Sequence, residues 1–447
     1  MQLTNLNTRD GIGANALMVE LGPFTGLIDA GLDPKVTGRD ALPQLDAIEQ
    51  ELDFVILTHS HLDHLGSLPV VLRQQPQTTV YCSIPTAQIA PRMLINSHNV
   101  MKRQREEAHI PEYPLYTMSE VHEAERLFAA LHYGKPKIIQ KEGQELSITL
   151  YSAGHIPGAS SIILEYKHRR IFFTGDILFR NMNTLQGAQL PKGPFDTIVT
   201  ETTRGEATRP TDHSPEKEIE RLLENTITTL HNGGSVLIPV FALGRMQEIL
   251  FILNEAFRQN VLPRVPVITT GLGVALADYM DALTRKTGLV NFRKKILQEL
   301  KSKPLKQDLE PGVDVSPKGI YILSSGMLVE NTPSYMAASC MLAHPHNTIS
   351  FVGYCDPDTP GGKLLATQQE DSFAFETLDY VCDVRAHIER YDMSGHADRE
   401  ELLDLLIREA PRSIVLTHGD PPARDWFEES LYTNPVTASS KILNPNP

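Results

Sequence analysis

The sequence predicts an α/β protein of more than one domain, and three observations carry that expectation. Short apolar runs of strand character alternate with segments whose apolar residues recur at helical spacing. Past residue 205 the same alternation continues, which implies a parallel sheet flanked by helices. The 447 residues, 41% hydrophobic and 21% charged, suit two or three domains with a large core and exclude a disordered chain.

Residues 16–21 and 26–29 read as an opening pair of strands, and 53–58 as the next. A helix is expected over 65–73, because Leu65, Leu68 and Leu72 fall on one face. Residues 79–82 form a short strand. The segment 119–131 begins with Ser119 and carries acids in its first turn, as a helix start does. Strands follow at 147–152, 161–166 and 171–174, the last two joined by the basic turn 167–170, and another at 198–200. Then 214–230 reads as a long amphipathic helix with Pro215 near its first position. An apolar strand at 235–240, a helix at 244–257, strands at 265–270, 319–324 and 348–354, and a strand at 412–417 complete the pattern. The polar, Pro-rich tail 434–447 is expected to fray. The domain division is 1–204, 205–385 and 386–447.

Charge and cysteine content narrow the function. The net charge of −14 argues against a protein that grips nucleic acid by bulk positive charge. It leaves room for a nuclease whose contacts are confined to a cleft. One stretch is basic: Arg285, Lys286, Arg293, Lys294, Lys295, Lys301, Lys303 and Lys306 stand against Glu299 alone. It reads either as a phosphate-contact surface or as a solvated helix face. No apolar run approaches the roughly 18 residues of a membrane span, and residues 1–5 lack the features of a signal peptide. Cys82, Cys340, Cys355 and Cys382 are scattered without a CxxC pair. A cytoplasmic, reducing location is therefore expected.

The densest chemistry lies in His59-Ser60-His61-Leu62-Asp63-His64, one residue beyond the apolar run Phe54-Val55-Ile56-Leu57. Imidazole and carboxylate donors gathered where a strand ends suit zinc, and catalytic metal sites keep a position open for water. The motif resembles the HxHxDH signature of the metallo-β-lactamase superfamily, which implies an αββα sandwich. Further segments match in order: Asp29 after an early strand, His155 in Gly154–Ala159, and Asp176 in the Thr174-Gly175-Asp176 strand end. Later segments resemble the β-CASP branch, whose members include RNase J and the polyadenylation-factor endonuclease. Glu201 resembles its motif A, His396 in Ser394–Asp398 its motif B, and His418 in Thr417–Asp420 its motif C. Three stretches resemble its inserted α/β domain: Gly244–Glu248, Ser324–Leu328 and Phe351–Tyr354. Arg204, where many members carry an aromatic residue, departs from the pattern, as does Gly271-Leu272-Gly273, which reads as a turn or a phosphate loop.

The resemblance implies two zinc ions per chain, with manganese a possible substitute. His59, His61 and His155 would hold one ion; Asp63, His64 and His418 would hold the other. Asp176 would bridge them, with a hydroxide between. Asp29 is placed as an outer carboxylate that orients an imidazole. His396 is the candidate general acid, with Glu201 hydrogen-bonded behind it, and Asp63 is counted with the catalytic residues. Arg245 and Ser325 are candidate substrate contacts. The implied activity is a zinc-dependent ribonuclease on single-stranded RNA, endonucleolytic with 5′→3′ exonuclease action, in a possible homodimer. A repair-type DNA nuclease, a non-nuclease hydrolase of the same fold and a catalytically dead scaffold are the alternatives.

Overall fold

The computed structural model describes residues 1–209, 214–305 and 309–445. The chain divides into two compact units: 1–181, 187–208 and 396–447 form the first, and 182–186 with 209–395 form the second. In the first, β1 (Gln2–Asn5), β2 (Leu17–Leu21), β3 (Phe24–Ile28), β4 (Phe54–Ile56), β5 (Thr79–Ser83) and β6 (Phe128–Leu131) form one sheet in that order. Its first pairings are antiparallel, and β3 to β6 run parallel. The helices between these strands are α1 (Leu62–Leu65), α2 (Leu68–Gln74), α3 (Ile84–Glu107) and α4 (Met118–Arg126).

Two expected helices differ. The single helix over 65–73 is two, split at Gly66-Ser67, where the Ser67 amide donates to the Ala30 carbonyl at 2.8 Å instead of continuing the helix. The helix expected over 119–131 stops at Arg126, since Phe128–Leu131 pairs with β5 as an edge strand. The gain of ladder hydrogen bonds outweighs helical spacing there. Thr117 and Glu120 close the start of α4 with a reciprocal capping box.

The second sheet begins with β7 (Lys137–Lys141), β8 (Gln144–Ser152), β9 (Ser160–Tyr166), β10 (Arg169–Phe173) and β11 (Thr197–Glu201). The chain then enters the second unit. There α5 (Pro215–His231) starts on Ser214, whose hydroxyl accepts the Lys217 amide at 3.3 Å. It is followed by β12 (Val236–Pro239), α6 (Arg245–Arg258), β13 (Val267–Thr269), α7 (Leu272–Thr287), α8 (Lys295–Glu299) and β14 (Lys303–Pro304). After these come β15 (Ile320–Leu323), α9 (Pro333–Met341), β16 (Thr348–Phe351), α10 (Pro360–Ala366), the hairpin β17 (Ser372–Phe375) and β18 (Tyr380–Asp383), and β19 (His387–Arg390). Six strands form a wholly parallel sheet in the order β14-β13-β15-β12-β16-β19. Leu237, Tyr321, Leu323, Ile349 and Phe351 pack with α9 on one face. Val236, Ile238, Ile320 and Ile322, also buried, point to the other, as a sheet covered on both sides requires.

Within this unit, Glu248 of α6 explains the Gly244–Glu248 stretch. Its buried carboxylate accepts the Asn183 amide and Nδ2 on Oε1, at 2.9 and 2.8 Å, and the Thr184 amide and hydroxyl on Oε2, at 3.0 and 2.6 Å. It thereby anchors the five-residue excursion 182–186. Gly271-Leu272-Gly273 opens α7 rather than forming a bare turn. A Cβ on Gly273 would lie 2.0 Å from Met246 Sδ, so the glycine permits close packing of α7 on α6. Four of the eight basic residues of the 285–306 stretch are ion-paired among the described residues. Arg285 and Arg293 both pair with Asp281, Lys294 with Asp278 and Lys295 with Glu299. Lys306 lies outside the described residues.

The chain returns to the first unit through α11 (Arg399–Glu409), β20 (Ser413–Thr417), α12 (Pro421–Thr433) and β21 (Lys441–Leu443). These complete a seven-stranded sheet, β21-β20-β11-β10-β9-β8-β7. The tail expected to fray is tied down instead. Residues 441–443 pair in parallel with β20, and the Thr437 and Ser440 hydroxyls donate to the Leu431 and Pro411 carbonyls, each at 2.7 Å. Asn446 and Pro447 lie outside the described residues. Phe24, Phe54, Ile56 and Tyr81 of one sheet pack with Leu150, Ile162, Phe173 and Val199 of the other to form the core between them. Among the described residues no helix is long and apolar enough to cross a membrane.

Candidate metal centre

The candidate site residues cluster at strand ends of the first unit. β3 delivers Asp29, β4 the His59–His64 run, β8 His155, β10 Asp176, β11 Glu201 and β20 His418. Asp63 and His64 ride on α1, and His61 precedes its first turn. Six segments far apart in sequence thus meet because their strands share two adjoining sheets.

Two donor sets emerge. His59, His61 and His155 place one ligand atom each within 4.8 Å of one another, and so do Asp63, His64 and His418. His155 Nε2 lies 3.2 Å from His61 Nδ1, and His64 Nε2 lies 3.2 Å from His418 Nε2. Asp176 reaches both sets, with Oδ2 at 3.7 Å from His59 Nε2, 3.7 Å from His155 Nε2 and 3.4 Å from His64 Nε2. Its Oδ1 is 3.4 Å from His418 Nδ1. Tetrahedral zinc with bonds of 2.0–2.1 Å spaces its ligands by about 3.3 Å, so these separations match donors around shared ions.

Hydrogen bonding fixes which nitrogens face inward. Thr58 donates its hydroxyl proton to Asp29 Oδ2 at 2.8 Å, so its oxygen accepts from His59 Nδ1 at 3.0 Å. The lone pair of His59 is then on Nε2, which is buried without a hydrogen-bond partner, as is Asp176 Oδ1. Burial, then the neighbouring His64, holds the His59 imidazole well below its ordinary pKa despite Asp176, so it is neutral as a ligand must be. Asp29 also takes His64 Nδ1 at 2.7 Å and the Thr58 amide at 2.7 Å, which turns His64 Nε2 toward His418 and Asp176. Burial opposes ionisation of Asp63 and Asp176. His64 and His418 beside them nonetheless hold both carboxyls below the usual range. Burial lowers the His64 pKa in turn, but Asp176, Asp63 and Asp29 raise it well above its ordinary value, as expected of an imidazole facing carboxylates. Imidazole nitrogens and carboxylates converging on a buried point fit divalent metal.

At the rim, His396 Nδ1 meets Glu201 Oε2 at 2.9 Å, while Glu201 Oε1 accepts the Ile177 amide at 2.6 Å. Burial lowers the His396 pKa, but the Glu201 carboxylate and its hydrogen bond, with help from Asp176, raise it above the ordinary value. His396 also lies within metal-binding reach of His155 and Asp176. The departure at Arg204 has a partner in the stretch that carries His396, since its guanidinium pairs with Asp398 at 3.1 Å. Arg245 and Ser325 belong to the second unit. There the Ser325 hydroxyl accepts the Val329 amide at 2.9 Å and so closes a turn.

Three contributors stand outside the candidate site residues, although Thr203 closes the motif A stretch Thr200-Glu201-Thr202-Thr203. Thr58 is flagged only by its place before His59. Asn15 donates Nδ2 to the Asp63 carbonyl at 3.1 Å and lies 3.3 Å from His64 Nε2. Thr203 meets His418 Nδ1 at 2.9 Å. Small polar residues like these become visible only through the partners that folding supplies.

Comparison with known proteins agrees along the chain. Residues 18–204 match the metallo-beta-lactamase superfamily domain, 246–364 the Beta-Casp domain, and 381–438 the Zn-dependent metallo-hydrolase RNA specificity domain. An RNase J-like protein of Methanocaldococcus jannaschii is 30% identical, over 92% of this chain and 90% of its own length. The transcription termination factor FttA of Pyrococcus horikoshii is 29% identical, over 94% of this chain and 66% of its own length. The cleavage and polyadenylation specificity factor 73 of Drosophila melanogaster is 26% identical, over 100% of this chain and 64% of its own length. The chain thus spans about two thirds of the length of the last two relatives. The chain belongs to the β-CASP branch of the metallo-β-lactamase superfamily, a branch of metal-dependent, RNA-processing nucleases.

Proposed function

We propose that the chain is a zinc-dependent ribonuclease that hydrolyses phosphodiester bonds of single-stranded RNA, by endonucleolytic and 5′→3′ exonucleolytic cleavage. The observation that supports this most is the pair of donor sets sharing Asp176, with His396 and Glu201 at their rim. His59, His61 and His155 would hold one ion, Asp63, His64 and His418 the other, and Asp176 both. Two zinc ions there would supply a nucleophile at neutral pH and neutralise charge on the phosphate oxygens.

The remaining work falls to side chains. Asp29 and Thr58 hold His64 and His59 in the tautomers that present Nε2 inward. His396 meets the scissile group through Nε2, because Glu201 occupies Nδ1. Its raised pKa keeps a proton available for the leaving alkoxide. Arg245 and Ser325 contact the RNA strand. With a net charge of −14, such contacts must be local rather than spread over the surface. Four cysteines free of disulfides suit action in the reducing cytoplasm.

The test uses matched 5′-labelled single-stranded RNA and DNA, with wild type, Asp63→Asn and His396→Ala, after chelation and re-addition of zinc or manganese. Wild type should cleave RNA only with metal restored, and the ladder separates internal from end-wise cleavage. His396→Ala should keep its metal content and lose cleavage on the order of 10²–10⁴-fold, the usual contribution of a general acid. Preference for DNA would transfer the reading to a repair-type nuclease. Undiminished RNA cleavage by Asp63→Asn would overturn the assignment.

A further inference from the structure

The second unit carries a cluster that the nuclease chemistry does not use. Asp314 precedes β15, while His344 and His346 flank Pro345 in the turn between α9 and β16. One ligand atom of each lies within 4.8 Å of the others. Asp314 Oδ1 is committed to the Val315 amide at 2.8 Å and to Asn347 Nδ2 at 2.9 Å. That leaves Oδ2 facing His346 Nε2 at 2.8 Å and His344 Nδ1 at 4.0 Å.

The tautomer of His344 is set. Its Nε2 lies 3.1 Å from the Gly312 carbonyl, which can only accept, so the neutral ring carries its lone pair on Nδ1, toward Asp314. A backbone carbonyl behind an imidazole is the usual outer partner of a metal-bound histidine. The surrounding backbone is ordered by its own contacts. Asn347 Oδ1 accepts the buried Ser235 amide at 2.9 Å, and a Cβ on Gly234 would lie 1.7 Å from the His346 carbonyl. The cluster also contains a cation. Lys318 Nζ pairs with Asp314 Oδ2 and stands 3.4 Å from His346 Nε2. Its side chain is 41% exposed, so it can swing into solvent.

We propose that Asp314, His344 and His346 form a second, separate metal site, taking one zinc, cobalt or nickel ion, with Lys318 as the internal cation that the metal displaces. Two imidazoles and one carboxylate select borderline transition metals over magnesium or calcium. Zinc ligands stand about 3.3 Å apart, so contacts of 2.8 and 4.0 Å need only small side-chain adjustments. The His344 and His346 side chains are 28% and 38% exposed, which gives the ion access and leaves positions for water.

Equilibrium dialysis against buffered free zinc, followed by metal quantitation, tests this on the full chain. His346→Ala should bind one ion fewer than wild type at saturating zinc, with circular dichroism unchanged. His344→Asn should show the same loss and serves if His346→Ala fails to fold. Lys318→Met should keep the wild-type number and bind the additional ion more tightly, on the order of tenfold. Equal zinc content in wild type and the folded histidine variants would overturn the site and leave the cluster as an ion-paired surface group. Weaker binding by Lys318→Met would equally overturn the displacement.

Discussion

Replacing Glu248 by glutamine should destabilise the second unit strongly, although only one oxygen becomes nitrogen. The carboxylate accepts four hydrogen bonds, two on each oxygen, from Asn183 and Thr184. Glutamine offers one oxygen and one NH2, so one pair of donors would face N–H groups. If the amide turns toward Thr184, the hydroxyl can rotate to accept, yet the Thr184 amide still meets a donor. If it turns toward Asn183, the backbone amide there is stranded and the Nδ2 group must turn away. Either way about two charge-assisted bonds are lost or inverted at 1.5–3 kcal/mol each, so roughly 3 kcal/mol of stability should disappear. For a unit of this size that corresponds to a fall in midpoint of roughly 6–12 °C. Glu248→Ala should cost more, because all four donors lose their partner. The assay is thermal and urea denaturation monitored by circular dichroism. Proteolysis within 182–186 provides a local readout of the anchor. A Glu248→Gln midpoint within about 1 °C of wild type, a stability change of a few tenths of a kcal/mol, would mean that the four hydrogen bonds do not hold this carboxylate's place in the fold.

Two further outcomes follow from the site and its supports. Glu201→Gln keeps an acceptor for the Ile177 amide but turns an N–H toward His396 Nδ1, so cleavage should fall about 10²–10⁴-fold while metal content holds; metal loss in step with activity would contradict a role confined to His396. Glu120 is held at about 2, against an ordinary 4.5, chiefly by the Arg73 hydrogen bond. A folded-state value below the unfolded one adds stability above the unfolded pKa and loses it as pH falls from 4.5 toward 2. Glu120→Gln should therefore flatten the acid side of the stability profile, measured by denaturation midpoints across that window; parallel profiles would exclude the pair as a contributor.

Chemistry that fits within a few residues is legible in the chain before it folds. The run His59–His64 encloses four donors behind a buried strand, and strand–helix alternation identifies the parallel sheet of the second unit. Ser214 and Pro215 mark the start of α5 as local capping rules require. Local pattern failed where long-range partners competed. Phe128–Leu131 became a strand because β5 supplied ladder bonds, and residues 441–443 were captured by β20 rather than fraying. The basic stretch 285–306 reads as opposed by Glu299 alone, but Asp281 pairs with Arg285 one turn along the same helix and with Arg293 beyond it, and Asp278 pairs with Lys294. At the candidate metal centre, folding brings His155, Asp176 and His418 within 3–4 Å of the first motif, sets Thr58 and Asn15 against His59 and His64, and sets Thr203 against His418. Imidazole orientation there depends on atoms that chain order separates by as few as one and as many as 354 residues, and local spacing carries no information about the distant ones until the strands that bear them pair and pack.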